Sequence, residues 1–163
     1  MLYFAYGSNM DPLQIAKRCL GHQVVGIGLL PSHRLCFPRL SKNRGCGVSS
    51  IEPVHDGVVW GVVYRLTPDD VARLDREEGY EASRPAAENR YNRMAVMVTV
   101  DGEPTEMQTY VAERQENPPP PNAEYLALMR DGGRHHGLPD AYLAMLDALG
   151  EDVRIVSGGS AKP

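Results

Sequence analysis

A chain of 163 residues, 42% hydrophobic and 23% charged, is long enough to build one domain with a sizeable core and no covalent staples. A formal net charge of −4 leaves no electrostatic footprint for nucleic acid or an acidic membrane, so an anionic ligand would depend on local donors. No apolar run approaches the ~20 residues of a membrane span, and no secretory leader pattern opens the chain, so a soluble cytoplasmic protein is expected.

Residues 2–6 are apolar or aromatic without interruption, which suits a short strand buried on both faces. Gly7-Ser8-Asn9 stops that strand with residues that favour tight backbone geometry, Gly7 permitting a positive φ or a close approach. Asp11 can cap a helix that carries Pro12 in its first turn. A strand, a glycine turn and a helix start bring several backbone N–H groups around one point, where an oxyanion or a carboxylate could sit. The helix is expected over residues 12–20, with Leu13, Ala16 and Leu20 on one apolar face widened by Ile15 and Cys19.

A strand over 24–30, a turn at Pro31 and a second extended stretch over 35–37 follow. Residues 41–50 are rich in Ser and Gly and read as a loop, in which Lys42 and Arg44 sit. Arg39 and Arg44 are candidates to meet a carboxylate, or else plain surface charge. His55-Asp56-Gly57 marks a turn, and residues 57–66 carry the strongest strand pattern in the chain.

Thr67-Pro68-Asp69-Asp70 opens a second helix: a threonine cap, proline at the first position and two acids against the positive helix end. Gly79 would stop it. Counting about 100° per residue, Glu78 falls midway between the inward directions of Val71 and Leu74, while Glu77 points a quarter-turn away and Asp75 is off the centre of that face. Partial burial and the negative helix end both disfavour the Glu78 carboxylate and push its pKa upward, the direction a general acid–base group needs. A glutamate at a frayed helix end, bonded to an arginine or to water, is the plainer reading of the same position.

Residues 81–90 are polar and irregular. A hairpin turns at Asp101-Gly102 between strands over 91–100 and 107–112. Pro118 to Pro121 form a stiff connector. Two helices close the chain, over 123–130 and 139–149, separated at Gly132-Gly133, with His135-His136 in a solvated connection between them. Residues 157–163 read as a loose tail. Three cysteines without CxxC spacing point to reduced thiols, and neither they nor the histidines suggest a metal.

The run from Tyr3 to Met10, the run from Leu74 to Gly79, and Gly137-Leu138-Pro139 before Tyr142 occur in this order. The combination resembles the γ-glutamylcyclotransferase family over residues 1–150, read as a single domain with residues 151–163 as a partly flexible extension. The resemblance implies an α+β fold, a small twisted mixed β-barrel flanked by helices, with no metal and no organic cofactor. It implies release of an amino acid or amine from a γ-glutamyl compound with formation of 5-oxoproline. By motif position it puts the catalytic glutamate on Glu78, the substrate loop on Tyr6, Gly7, Ser8 and Asn9, and pocket tyrosines on Tyr91 and Tyr110. Ser8-Asn9-Met10 is similar to enzymes acting on γ-glutamyl amino acids. The expected partner is thus a small γ-glutamyl molecule, with no nucleic acid and no membrane, and with room for a homodimer. Two other functions fit the same residues: a non-catalytic binder of γ-glutamyl or other carboxylate ligands, and a related amide-cleaving enzyme of a biosynthetic pathway.

Overall fold

The computed structural model describes residues 1–157, with side chains described as far as Gly150. Five strands, Leu2–Ala5 (β1), Gln23–Ser41 (β2), Cys46–Arg65 (β3), Tyr91–Val100 (β4) and Glu103–Ala112 (β5), close into a barrel in the spatial order β1-β3-β2-β4-β5. β1 runs antiparallel to β3 and parallel to β5, which makes the barrel mixed, as expected. Helices Pro12–Arg18 (α1), Pro68–Glu78 (α2), Ala123–His136 (α3) and Asp140–Ser157 (α4) flank it.

β1 is buried on both faces, as its unbroken apolar run requires, and the two faces serve different cores. Phe4 and Tyr6 join Leu30, Val59, Val63, Val98 and Met107 in a cluster that draws on all five strands and, among the described residues, on no helix; this is the barrel interior. Tyr3 and Ala5 join Tyr64, Leu74, Met129 and Leu146 in a second cluster between the barrel wall and the helices. The period-2 alternation of strand side chains divides the residues in this way.

Local chemistry sets the helix starts. Asp11 accepts the Gln14 N–H at 2.8 Å to cap α1. At α2, Thr67 and Asp70 form a reciprocal capping box, and Gly79 closes the helix in the left-handed conformation at φ 67°. Asp101 and Gly102, at φ 50° and 87°, make the two-residue hairpin turn between β4 and β5.

Several expectations are corrected. α1 ends at Arg18, so Leu20 lies beyond it; Leu13 and Leu20 are exposed, and Ile15 is the buried residue of the helix, joined by its cap residue Cys19. The segments over 24–30 and 35–37 are one strand, β2, whose register shifts between Pro31 and His33 without a break. The expected loop over 41–50 shrinks to residues 42–45, because residues 46–50 are paired in β3. The turn marked by His55-Asp56-Gly57 is absorbed within β3, with Asp56 at φ 60°. α3 continues through Gly132-Gly133 and stops at Gly137, at φ 77°. His135 and His136 therefore belong to its last turn, where His136 Nε2 stands 3.3 Å from the Tyr64 hydroxyl. α4 runs past the helix end expected at residue 149 and is described as far as Ser157; the rest of the expected loose tail lies outside the described residues. Among the described residues no helix is long and apolar enough to cross a membrane.

Candidate active site

Ser8–Met10 form a single 3-10 turn between β1 and α1. The Met10 N–H donates to the Gly7 carbonyl and the Asp11 N–H to the Ser8 carbonyl, so those of Ser8 and Asn9 have no partner within the turn. Of the two uses open to Gly7, a positive φ and a close approach, the structure has the second: φ is −114°. A Cβ there would lie 2.2 Å from Ser49 Oγ, where β3 crosses the end of β1.

The last turn of α2 delivers Glu78 to the same place. Its side chain is 12% exposed, against 54% for Glu77, so the acid aimed inward by helical count is the one largely withdrawn from solvent. Asn9 Nδ2 donates to Glu78 Oε1 at 3.1 Å and stands 2.9 Å from the Tyr3 hydroxyl. Arg18 Nη1 donates to Glu78 Oε1 at 3.2 Å and to Asn9 Oδ1 at 2.8 Å. Burial pushes the Glu78 carboxyl above its ordinary range, while Arg18, Asn9 and Arg90 pull the other way without cancelling it.

A second layer holds this group in register. Gln14 donates to Ser8 Oγ at 2.7 Å and to Asn9 Oδ1 at 3.0 Å, and Arg44 donates to the Gln14 side-chain oxygen. Tyr125 of α3 accepts the Ser49 N–H at 3.0 Å and pairs with its hydroxyl at 2.8 Å, fixing the strand that packs on Gly7. Tyr6 donates to the Tyr110 carbonyl, and Tyr91 to the Ser49 carbonyl at 3.0 Å. The Tyr110 hydroxyl donates to Asp75 Oδ1 at 2.7 Å, and Arg93 holds that carboxylate at 2.9 Å. Burial raises the Tyr110 pKa, and the bond to Asp75 raises it further, so this phenol stays protonated.

Tyr6, Gly7, Ser8, Asn9, Glu78, Tyr91 and Tyr110 all line one cavity of about 750 Å³, a size typical of small-molecule sites. Arg39 and Arg44, the candidates to meet a carboxylate, line it as well, and so do Tyr3, Arg18 and Tyr125, to which sequence reading gave no site role. Arg18 had a signal: Asp11, Gln14 and Arg18 recur at helical spacing, a polar stripe directly after the Ser8-Asn9 turn. Asp75, set aside as off the inward face of α2, reaches the site through Tyr110.

Residues 58–146 match the model of the AIG2-like family. The chain is 28% identical over 153 residues to a gamma-glutamylcyclotransferase of Mus musculus, covering 91% of this chain and 78% of that protein. The same identity and coverage hold for a gamma-glutamylcyclotransferase of Homo sapiens. Among solved structures, a gamma-glutamyl cyclotransferase superposes with TM-score 0.81 at 25% identity over 98% of this chain and 99% of that one. An uncharacterized protein from Homo sapiens gives TM-score 0.80 at 27% identity, over 90% and 86%.

Proposed function

The chain belongs to the AIG2-like family, and from that premise we propose that it is a γ-glutamylcyclotransferase in which Glu78 is the acid–base residue. The relatives bearing that name support the reaction class. The observation that carries the residue assignment is a largely enclosed carboxyl with a raised pKa, beside the Ser8 and Asn9 N–H groups that have no partner within their turn, in the wall of the cavity.

The substrate brings its own nucleophile. Its α-amine, once deprotonated, attacks the γ-carbonyl carbon and closes a five-membered ring; the amide C–N bond then breaks, leaving 5-oxoproline and a free amine. No water is consumed and no covalent bond to the protein is needed. The reaction requires a folded substrate conformation, where orientation supplies much of the acceleration. It also requires one group that takes a proton from the attacking ammonium and returns one to the departing nitrogen. Glu78 fills that role: ionised it is the base, and its raised pKa makes it a competent acid for the second step. The Ser8 and Asn9 N–H groups are donors for the oxyanion or for the substrate α-carboxylate. Tyr6, Tyr91 and Tyr110 shape the walls. The chemistry calls for no metal or organic cofactor.

A product assay tests the reading. Purified protein is incubated with γ-glutamyl-alanine, a γ-glutamylamine and glutathione, and 5-oxoproline is measured. Wild type forms 5-oxoproline from at least one of them; Glu78→Gln stays folded and loses nearly all turnover, while Glu77→Gln, altering an exposed charge, keeps most of it. Equal loss from the two substitutions would remove the assignment, and linear glutamate as product would replace the reaction class.

A further inference from the structure

The molecule carries net negative charge, yet its cavity is lined by six cationic side chains, Arg18, Arg39, Lys42, Arg44, Arg76 and Arg90, against only two acids, Glu77 and Glu78. Arg18 is paired with both acids, and Arg90 donates to the carbonyls of Arg76 and Glu77 at the end of α2 while lying close enough to favour ionised Glu78. The others have no carboxylate within ion-pair distance among the described residues. Arg39 donates to the Glu113 carbonyl, while the carboxylate of that residue accepts from Asn92. Arg44 lies over the Tyr125 ring and donates to Gln14.

Burying or crowding cations without counter-charge is unfavourable, and their concentration in one cleft of an acidic molecule focuses a positive potential there. A γ-glutamylamine offers this cleft one carboxylate, and a γ-glutamyl derivative of a neutral amino acid offers two. Arg39, Lys42 and Arg44 stand together at the β2–β3 turn, and Arg76 adds a charge from α2. That surplus fits a substrate with a further anionic group beyond the scissile bond.

Resting on the cyclotransferase reading, we propose that the preferred leaving group is itself an acidic amino acid, so that the substrate carries three carboxylates and the β2–β3 turn binds the side-chain carboxylate. The turn, not the Gly7–Asn9 segment, is then the specificity element. Arg39 and Lys42 supply the charge, and Arg44 divides its donors between this task and Gln14.

The test compares L-γ-glutamyl-L-glutamate with L-γ-glutamyl-L-glutamine, which match in size and differ in one charge. In wild-type protein kcat/KM for 5-oxoproline release favours the glutamate compound roughly fivefold, the scale that one partly exposed ion pair allows, and added salt brings the ratio toward one as the charges are screened. The double substitution Arg39→Gln with Lys42→Gln lowers the ratio toward one. The salt titration needs no variant, so a misfolded double variant leaves the inference falsifiable. Turnover of both compounds with a ratio at or below one, or a ratio indifferent to salt, overturns the acidic leaving group and leaves the cyclotransferase standing. Release of 5-oxoproline from neither compound, nor from γ-glutamyl-alanine, overturns both.

Discussion

Glu78 sits under opposed influences: burial raises its pKa, and the Arg18 guanidinium 3.2 Å from Oε1 is the largest force pulling it back. In the proposed reaction Glu78 is the base and has to be ionised to take the ammonium proton, so on that reading its pKa sets the acid limb of kcat/KM in the free enzyme. Arg18→Gln removes the cation, favours the protonated carboxyl, and moves that limb to higher pH, while Arg18→Lys restores the charge and moves it back. The pH profile of 5-oxoproline release measures this; a limb that stays in place in Arg18→Gln would mean that another group titrates there. The inward direction of Glu78 was legible in the sequence because helical phase is a local property, fixed by the Thr67 cap and the Gly79 stop. Sequence reading missed Arg18 because its role depends on where α1 meets the end of α2, a contact between residues 60 positions apart.

Among the elements, the same division holds. The starts of α1, α2 and the β4–β5 turn were legible, since Asp11-Pro12, Thr67-Pro68-Asp69-Asp70 and Asp101-Gly102 carry their caps and turns with them. The extent of α3 was not, because Gly132-Gly133 has the composition of a break and the packing of an interior. A Cβ on Gly132 would stand 2.5 Å from the Met10 carbonyl carbon and 2.7 Å from the Asp11 nitrogen, so the helix presses directly on the backbone that follows the Ser8–Asn9 turn. Gly132→Ala gains up to about 1 kcal/mol in helix propensity and loses more, about 1–3 kcal/mol, to overlap with main-chain atoms that cannot rotate aside. A net fall in the urea midpoint is expected, together with reduced turnover as Asn9 is displaced. Gly133→Ala meets only side-chain ends, Leu143 Cδ2 at 3.0 Å and Leu138 Cδ2 at 3.4 Å, and should change the midpoint little. Similar losses at the two glycines would show that the contact with Met10 is not the constraint. The segment over 46–50 was misread on the same grounds: its Ser and Gly content resembles a loop, but in β3 Ser49 bonds Tyr125 and Ser50 accepts the Ala112 N–H.

Across the whole molecule, the site exists only where barrel and helices are held together, and the proline connector is one of the ties. It runs from the end of β5 to the start of α3 and packs on the first residues of β3, where the Gly47 N–H donates to the Pro120 carbonyl at 3.0 Å. A Cβ on Gly47 would lie 2.2 Å from the Pro119 carbonyl oxygen and 3.2 Å from the Pro120 carbonyl carbon. Consecutive prolines resist bending, so Gly47→Ala has to push the connector off the barrel or pull β3 inward. Either movement reaches the cavity: α3 follows the connector and carries Tyr125, which holds Ser49, which in turn packs on Gly7. We therefore expect Gly47→Ala to cost about 1–3 kcal/mol of stability and to raise KM for a γ-glutamyl substrate more than it lowers kcat, since this line of contacts ends at Ser49 and Gly7, while Glu78 is carried separately at the end of α2. Denaturant titration alongside steady-state kinetics checks both parts. A stability loss with KM unchanged would show that the barrel keeps Ser49 and Gly7 in place without α3, and that the helical layer supports the fold without shaping the substrate pocket.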